Sequence, residues 1–463
     1  MAVTPTFALA EFAAGLSFDD LPADVIGNLK LVILDALGCA IAATTLGDGC
    51  RETVAVMRSL GGTPESSIIG FADKISAPNA AFANGALVHA LNYDPIAEQI
   101  GHIGVVGLVA PLAMSEAIGG LTGAEFLAAS AVACEVSARI TAAIARTGRR
   151  PSEKFLSGQL LSYFGAAAGA GRVLRLNAAR MRSALGLALM QMAGSRQVVL
   201  CGDPPAKAIY GAFPNQAGVL AALLSKQGLG ADCDIVGEPA GLYPMIYGSE
   251  CDLNALTEGL GKNFLLNKVE FKLWPTSNHI HSFIEAACNI PRLDASSIQA
   301  VEIIAPSKLR PWCEPLDKRR RPDNPAAAAN SIPFCVAKSL VHGSVKLKDF
   351  TPDGLRDVVA LAIAERTSYR LDDAIKGAVV RVHAANGELH QAGIETPLGH
   401  RSRPASREQV VEKFRDCCSH AAQPMARESI NTIVAMIDGL PELDDVCRIA
   451  ALANGATVSP RND

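Results

Sequence analysis

Residues 123–145 read GAEFLAASAVACEVSARITAAIA. Glu125, Glu135 and Arg139 are the only charged positions in that run. Apolar side chains recur on every side of a 3.6-residue repeat, so no polar face is left for solvent. A helix of that kind is buried between other helices. Its many Ala residues, and the Gly and Ala of its neighbours, permit close approach. The reading extends outward on both sides. In 22–42 the positions Val25, Leu29, Val32, Ile33 and Ala36 keep helical spacing, with Pro22 suited to a first turn. Segments 80–90, 104–118, 156–173, 178–192 and 214–227 continue the pattern. The first 230 residues therefore read as helix after helix.

The character changes near residue 265. AVEIIA (300–305) is short and β-branched, and AVVRVHA (378–384) runs through Asn386-Gly387 into 388–395 as a hairpin. Helical patterns at 281–289, 326–341 and 352–364 flank these strands. After Pro404 helix returns, opened by a capping box at Ser406-Arg-Glu-Gln409. Val410, Val411, Phe414 and Cys417 mark its apolar face. The expected class is α+β. A large helical domain (1–265 plus 403–463) carries an inserted, smaller α/β domain (266–402).

Composition narrows the function. The chain has 463 residues; 42 Lys and Arg against 46 Asp and Glu give a net charge of −4. No broad basic surface is expected, which argues against nucleic-acid and anionic-membrane partners. At 49% hydrophobic and 19% charged, the chain is built to bury a core rather than to stay disordered. Mean hydropathy is +0.22. Yet the longest uncharged runs, 76–93 and 208–225, are broken by Pro, Asn and His, unlike a span of ~20 apolar residues. The N-terminus lacks the layout of a signal peptide, so the cytoplasm is the expected compartment. The twelve cysteines are scattered without a CxxC pair and read as buried thiols.

Standard motif searches return little. Gly169-Ala-Gly171 opens like a dinucleotide loop, but Leu174 stands where the last Gly belongs, inside a helical pattern. Gly261-Lys262 lacks the rest of a phosphate loop. His279 and His281 offer two imidazoles without a third ligand. Neither a cofactor nor a metal is expected.

Four segments, in order, resemble the MmgE/PrpD family: NGALVHALNYD (84–94), LSYFGAAAGAGRVL (161–174), 207–230, and Lys272-Leu-Trp-Pro275 with His281 beyond it. Weaker matches are AKSLVHGSVKLKD (337–349) and Thr396-Pro-Leu-Gly399 before Lys413-Phe414. The likeness spans nearly the whole chain. It implies a helical domain with an inserted α/β lid, an active site between them, and a homodimer. It also implies enzymes that act on small polycarboxylates beside a carboxylate, without metal or organic cofactor. Charge then builds on the carboxylate and needs fixed cations and donors.

Residue by residue, the resemblance implies His102 as acid/base, with Lys207 and Lys272 as cations against substrate carboxylates. Imidazole suits the role because its pKa lies near neutrality. Asn92, Asp94, Arg150, Ser277 and His281 would border the substrate. His89 and Tyr93 read as packing residues, as does Trp312, and Lys318–Arg321 as a solvated loop. Departures are plain: Asn92 replaces an acid, Ile96 a Thr, Arg150 a His, and Ser277 a His or Cys. An amide is no general base, and Arg stays charged. The leading reading is a lyase that dehydrates, hydrates or decarboxylates a small di- or tricarboxylate. The alternatives are an epimerase or isomerase of a dicarboxylate, and a non-catalytic carboxylate-binding paralogue.

Overall fold

A computed structural model describes residues 4–97, 101–147, 154–200, 205–248 and 251–455. Helix Gly123–Ala145 opens with the Thr122–Glu125 capping box, where Glu125 N donates to Thr122 Oγ1 at 3.2 Å. It runs beside Ser157–Val173, which in turn packs against Ala212–Lys226. Gly165 lets the first pair close: a Cβ there would fall 2.1 Å from Ser137 Oγ and 2.4 Å from Ala133 O. Helices Ala23–Leu46, Ala77–His89, Ile103–Ile118 and Ala178–Gln191 complete the packing. Ala23–Leu46 and Gly123–Ala145 are long and apolar enough to cross a membrane, but most of each is buried inside the fold.

One apolar cluster draws on residues from Leu9 to Phe271 and again from Val410 to Ala453. A second runs from Trp274 to Val382. It holds a four-stranded sheet ordered Thr367–Leu371, Ile298–Ala305, Ala378–Ala384, Leu389–Ile394. The first pair is parallel (Val301 opposite Thr367) and the others antiparallel (Val301 opposite Val382, Val380 opposite Ala392). Gly387, at φ 87°, turns the expected hairpin. Helices His281–Cys288 and Ile332–His342 contribute to the same core.

Three features differ from expectation. The edge strand Thr367–Leu371 was not foreseen. The helix expected over 326–341 is two, Pro325–Ala328 and Ile332–His342, because Ser331 caps the second through Phe334 N at 3.1 Å. The helix expected over 352–364 also divides, since Asp357 Oδ1 accepts from Val359 N and Ala360 N at 3.1 Å.

Candidate active site

Two short pairings bring the site together. Ile96–Ala97 pairs antiparallel with Val269–Glu270, so the loop after helix Ala77–His89 meets the segment that carries Lys272. Asn92, at φ 50°, bends that loop in a left-handed conformation that Asn tolerates. Lys272 Nζ then donates to Asn92 O at 2.7 Å and Oδ1 at 2.8 Å.

A cavity of ≈ 120 Å³ opens beside this loop. His89, Asn92, His102, Lys207, Tyr210 and Asp48 supply its polar groups on one side. Pro275, Pro325, Ala326, Asn330, Leu347 and Phe350 face them from 266–402.

His102 stands at the N-cap position of helix Ile103–Ile118, and its Nδ1 is 2.9 and 3.0 Å from the two Asp94 oxygens. Asp94 is fully buried. Burial works to raise its pKa, but His102 and His89 outweigh that and hold it well below the usual carboxylate range. Burial also pushes His102 down, to about 4, against the pull of Asp94. The ring is therefore a neutral imidazole with Nδ1 occupied, leaving Nε2 to exchange a proton. The His89 ring crosses His102 edge-on with centroids 4.1 Å apart and lies 4.2 Å from the Tyr210 ring. Its Nδ1 is 3.4 Å from Asp94 without an aligned hydrogen bond. Donor atoms of His89, Asp94 and His102 lie within 4.8 Å of one another, the spacing of a metal cluster.

The expected residues divide accordingly. His102, Lys207 and Asn92 border the cavity. Lys272 does not: its side chain is buried behind Asn92, and burial lowers its pKa to about 8 although Asp94 pulls upward. Asp94 lies beneath His102 rather than on the cavity wall, its oxygens taken by imidazole. Ser277 is also set back; its Oγ accepts from Trp312 Nε1 at 3.2 Å. His281 is buried edge-on to Trp274, with centroids 5.2 Å apart and Nε2 lacking a hydrogen-bond partner. Burial, then Lys272 and Lys413, lower its pKa to about 3. Arg150 lies outside the described residues. Tyr93 packs, donating to Leu273 O at 3.1 Å, and Arg321 pairs with Glu365 at the surface.

Sequence reasoning missed Tyr210, Asp48, Asn330 and Phe350, and undervalued His89. Tyr210 sat inside the 207–230 segment, a signal that was available. The others carry no local mark.

Profiles of the MmgE/PrpD N-terminal domain and C-terminal domain match residues 8–253 and 274–438. The chain belongs to the MmgE/PrpD family. Cis-aconitate decarboxylase of Aspergillus terreus is 24% identical, covering 98% of this chain and 97% of that protein. The family's mouse cis-aconitate decarboxylase is 23% identical over 98% and 94%. The cis-aconitate decarboxylase-like protein oryM of Aspergillus oryzae is 23% identical over 97% of both chains. Membership thus rests on the full length of both chains rather than on the site alone.

Proposed function

We propose that the protein is a lyase that acts on a small di- or tricarboxylate, with side chains carrying the proton transfers. One observation carries the reading: a neutral His102, oriented by buried Asp94, faces a cavity that also presents Lys207. In the eliminating direction, Nε2 takes the proton from the carbon next to a carboxylate. The electron pair moves onto that carboxylate, where Lys207 offsets the charge, and then expels the hydroxyl group, which takes the proton from His102 Nε2 and leaves as water. In the decarboxylating direction, the C–C electron pair stays on the same carbon as CO₂ departs. A proton drawn from solvent and relayed through His102 Nε2 then returns to that carbon. The cis-aconitate decarboxylases among its relatives support a lyase of this kind.

Epimerisation is the second reading. It is favoured by Asn92, an amide that cannot serve as a general base, and by two groups able to carry a proton, His102 and Lys207, on one cavity. We take 266–402 as a lid on the body formed by 1–265 and 403–463. We also take the protein as a homodimer. Phe213 and Leu220, seven residues apart on helix Ala212–Lys226, leave an apolar strip at the surface that a second copy would cover. Sedimentation of a single 48.3 kDa species would count against the dimer.

Proton NMR in D₂O with citrate-, aconitate-, aspartate- and succinate-type acids tests the chemistry. Loss of water or CO₂ supports a lyase; inversion with deuterium uptake alone supports an epimerase. His102→Asn should lower turnover by ~10²–10⁴-fold. An unchanged rate removes His102 from the mechanism.

A further inference from the structure

A cavity meant for polyanions should not present a carboxylate, yet Asp48 lines this one. It sits between Gly47 and Gly49, in the turn linking helices Ala23–Leu46 and Cys50–Leu60. Gly49 has φ 73°, and a Cβ on it would lie 3.4 Å from Ile209 Cγ2 and 3.7 Å from Pro205 O. The turn is thus seated on the segment that carries Lys207, and the acid and the cation share one wall.

Among the described residues, no cation pairs with Asp48. Its neighbour along the next helix is another acid, Glu52. Burial and then Glu52 raise the Asp48 pKa, the mark of an acid short of positive company. The described residues that border the cavity carry one lysine, Lys207, and one acid, Asp48. Such a wall suits a ligand that carries both signs of charge better than one that carries three negative charges.

We propose that Asp48 is a specificity-determining residue that receives an ammonium group, so that the substrate is a small carboxylate bearing an amino group. This rests on the reading of the cavity as a carboxylate site. Lys207 would hold a carboxylate and His102 would work at the carbon between the two charged groups. An amino group there also withdraws electrons from that carbon and eases loss of its proton. Asp48 disfavours carboxylates that lack an ammonium group by like-charge repulsion, which is selection by penalty as well as by attraction.

Calorimetric binding of L-aspartate and succinate isolates the ammonium group, since the pair differs only there. Wild type should bind aspartate at least tenfold more tightly. Asp48→Asn should bring the ratio close to one, and Asp48→Glu, which keeps the charge, should preserve the preference. Equal wild-type affinities, or a ratio unmoved in Asp48→Asn, would overturn the assignment. Propane-1,2,3-tricarboxylate separates the two levels of the reading. Tight binding of it with weak aspartate binding leaves the carboxylate site standing and removes the role of Asp48. Binding of none of the three defeats both.

Discussion

The Lys272 ammonium is held by two neutral oxygens of Asn92, at 2.7 and 2.8 Å. Neither brings a charge to offset the loss of water, so burial prevails and the lysine drops to about 8. Activity that depends on the charged form should fall as pH rises through about 8. Asn92→Asp would set a carboxylate against the ammonium, favour its protonated form and move that limb to higher pH. A pH–rate profile of kcat/KM for the two proteins reads this directly; a limb that stays in place assigns it to another group. Asn92 and Lys272 were both legible in the sequence as site candidates. Their bond was not, because the partners lie 180 positions apart and meet only through the Ile96–Ala97 and Val269–Glu270 pairing. The same holds for Asp94. Its place in the motif suggested a substrate contact, whereas its burial makes it the residue that orients His102.

Helices show the opposite balance. Gly123–Ala145 was readable to its ends because its repeat and its cap are both local. The close approach of its neighbours depends on single glycines. A Cβ at Gly218 would fall 2.5 Å from Ala166 Cβ and 2.6 Å from Ala167 N. Backbone cannot swing aside as a side chain can, so Gly218→Ala should cost ~1–3 kcal/mol. A lowered urea midpoint checks this; an unchanged midpoint would show that the two helices can part freely. The breaks at Ser331 and Asp357 were illegible for a related reason. A polar residue inside a helical pattern is a cap only if the preceding backbone leaves the helix, and packing decides that. One of those breaks leaves Asn330 on the cavity.

At the scale of the whole molecule, Lys413 joins distant segments. Its buried Nζ donates to Asp35 Oδ1 and Oδ2 at 2.9 and 2.7 Å, to Tyr93 O at 2.6 Å and to Lys272 O at 2.9 Å. It therefore ties a helix near the N-terminus, the loop beneath His102 and the Lys272 segment to helix Arg407–Cys418. Lys413→Met leaves Asp35 buried and unpaired and should destabilise the fold by ~3–5 kcal/mol. Adding Asp35→Asn should recover part of that loss. A double-mutant cycle of unfolding midpoints measures it, and simple additivity would mean the pair is not coupled.

Residue order alone determined that the chain is helical at both ends with an α/β section between them, and it marked His102, Lys207 and Asn92. The helical and α/β pattern follows from repeats, caps and turns that act over a few residues, whereas the three site residues were marked by resemblance to the MmgE/PrpD family. Only the tertiary structure decided that Asp94 supports His102, that Lys272 stands behind Asn92, and that Asp48 and Phe350 share a cavity. These depend on which side chains lose water together. Burial sets both their partners and their proton affinities, and burial is a property of the packed chain as a whole.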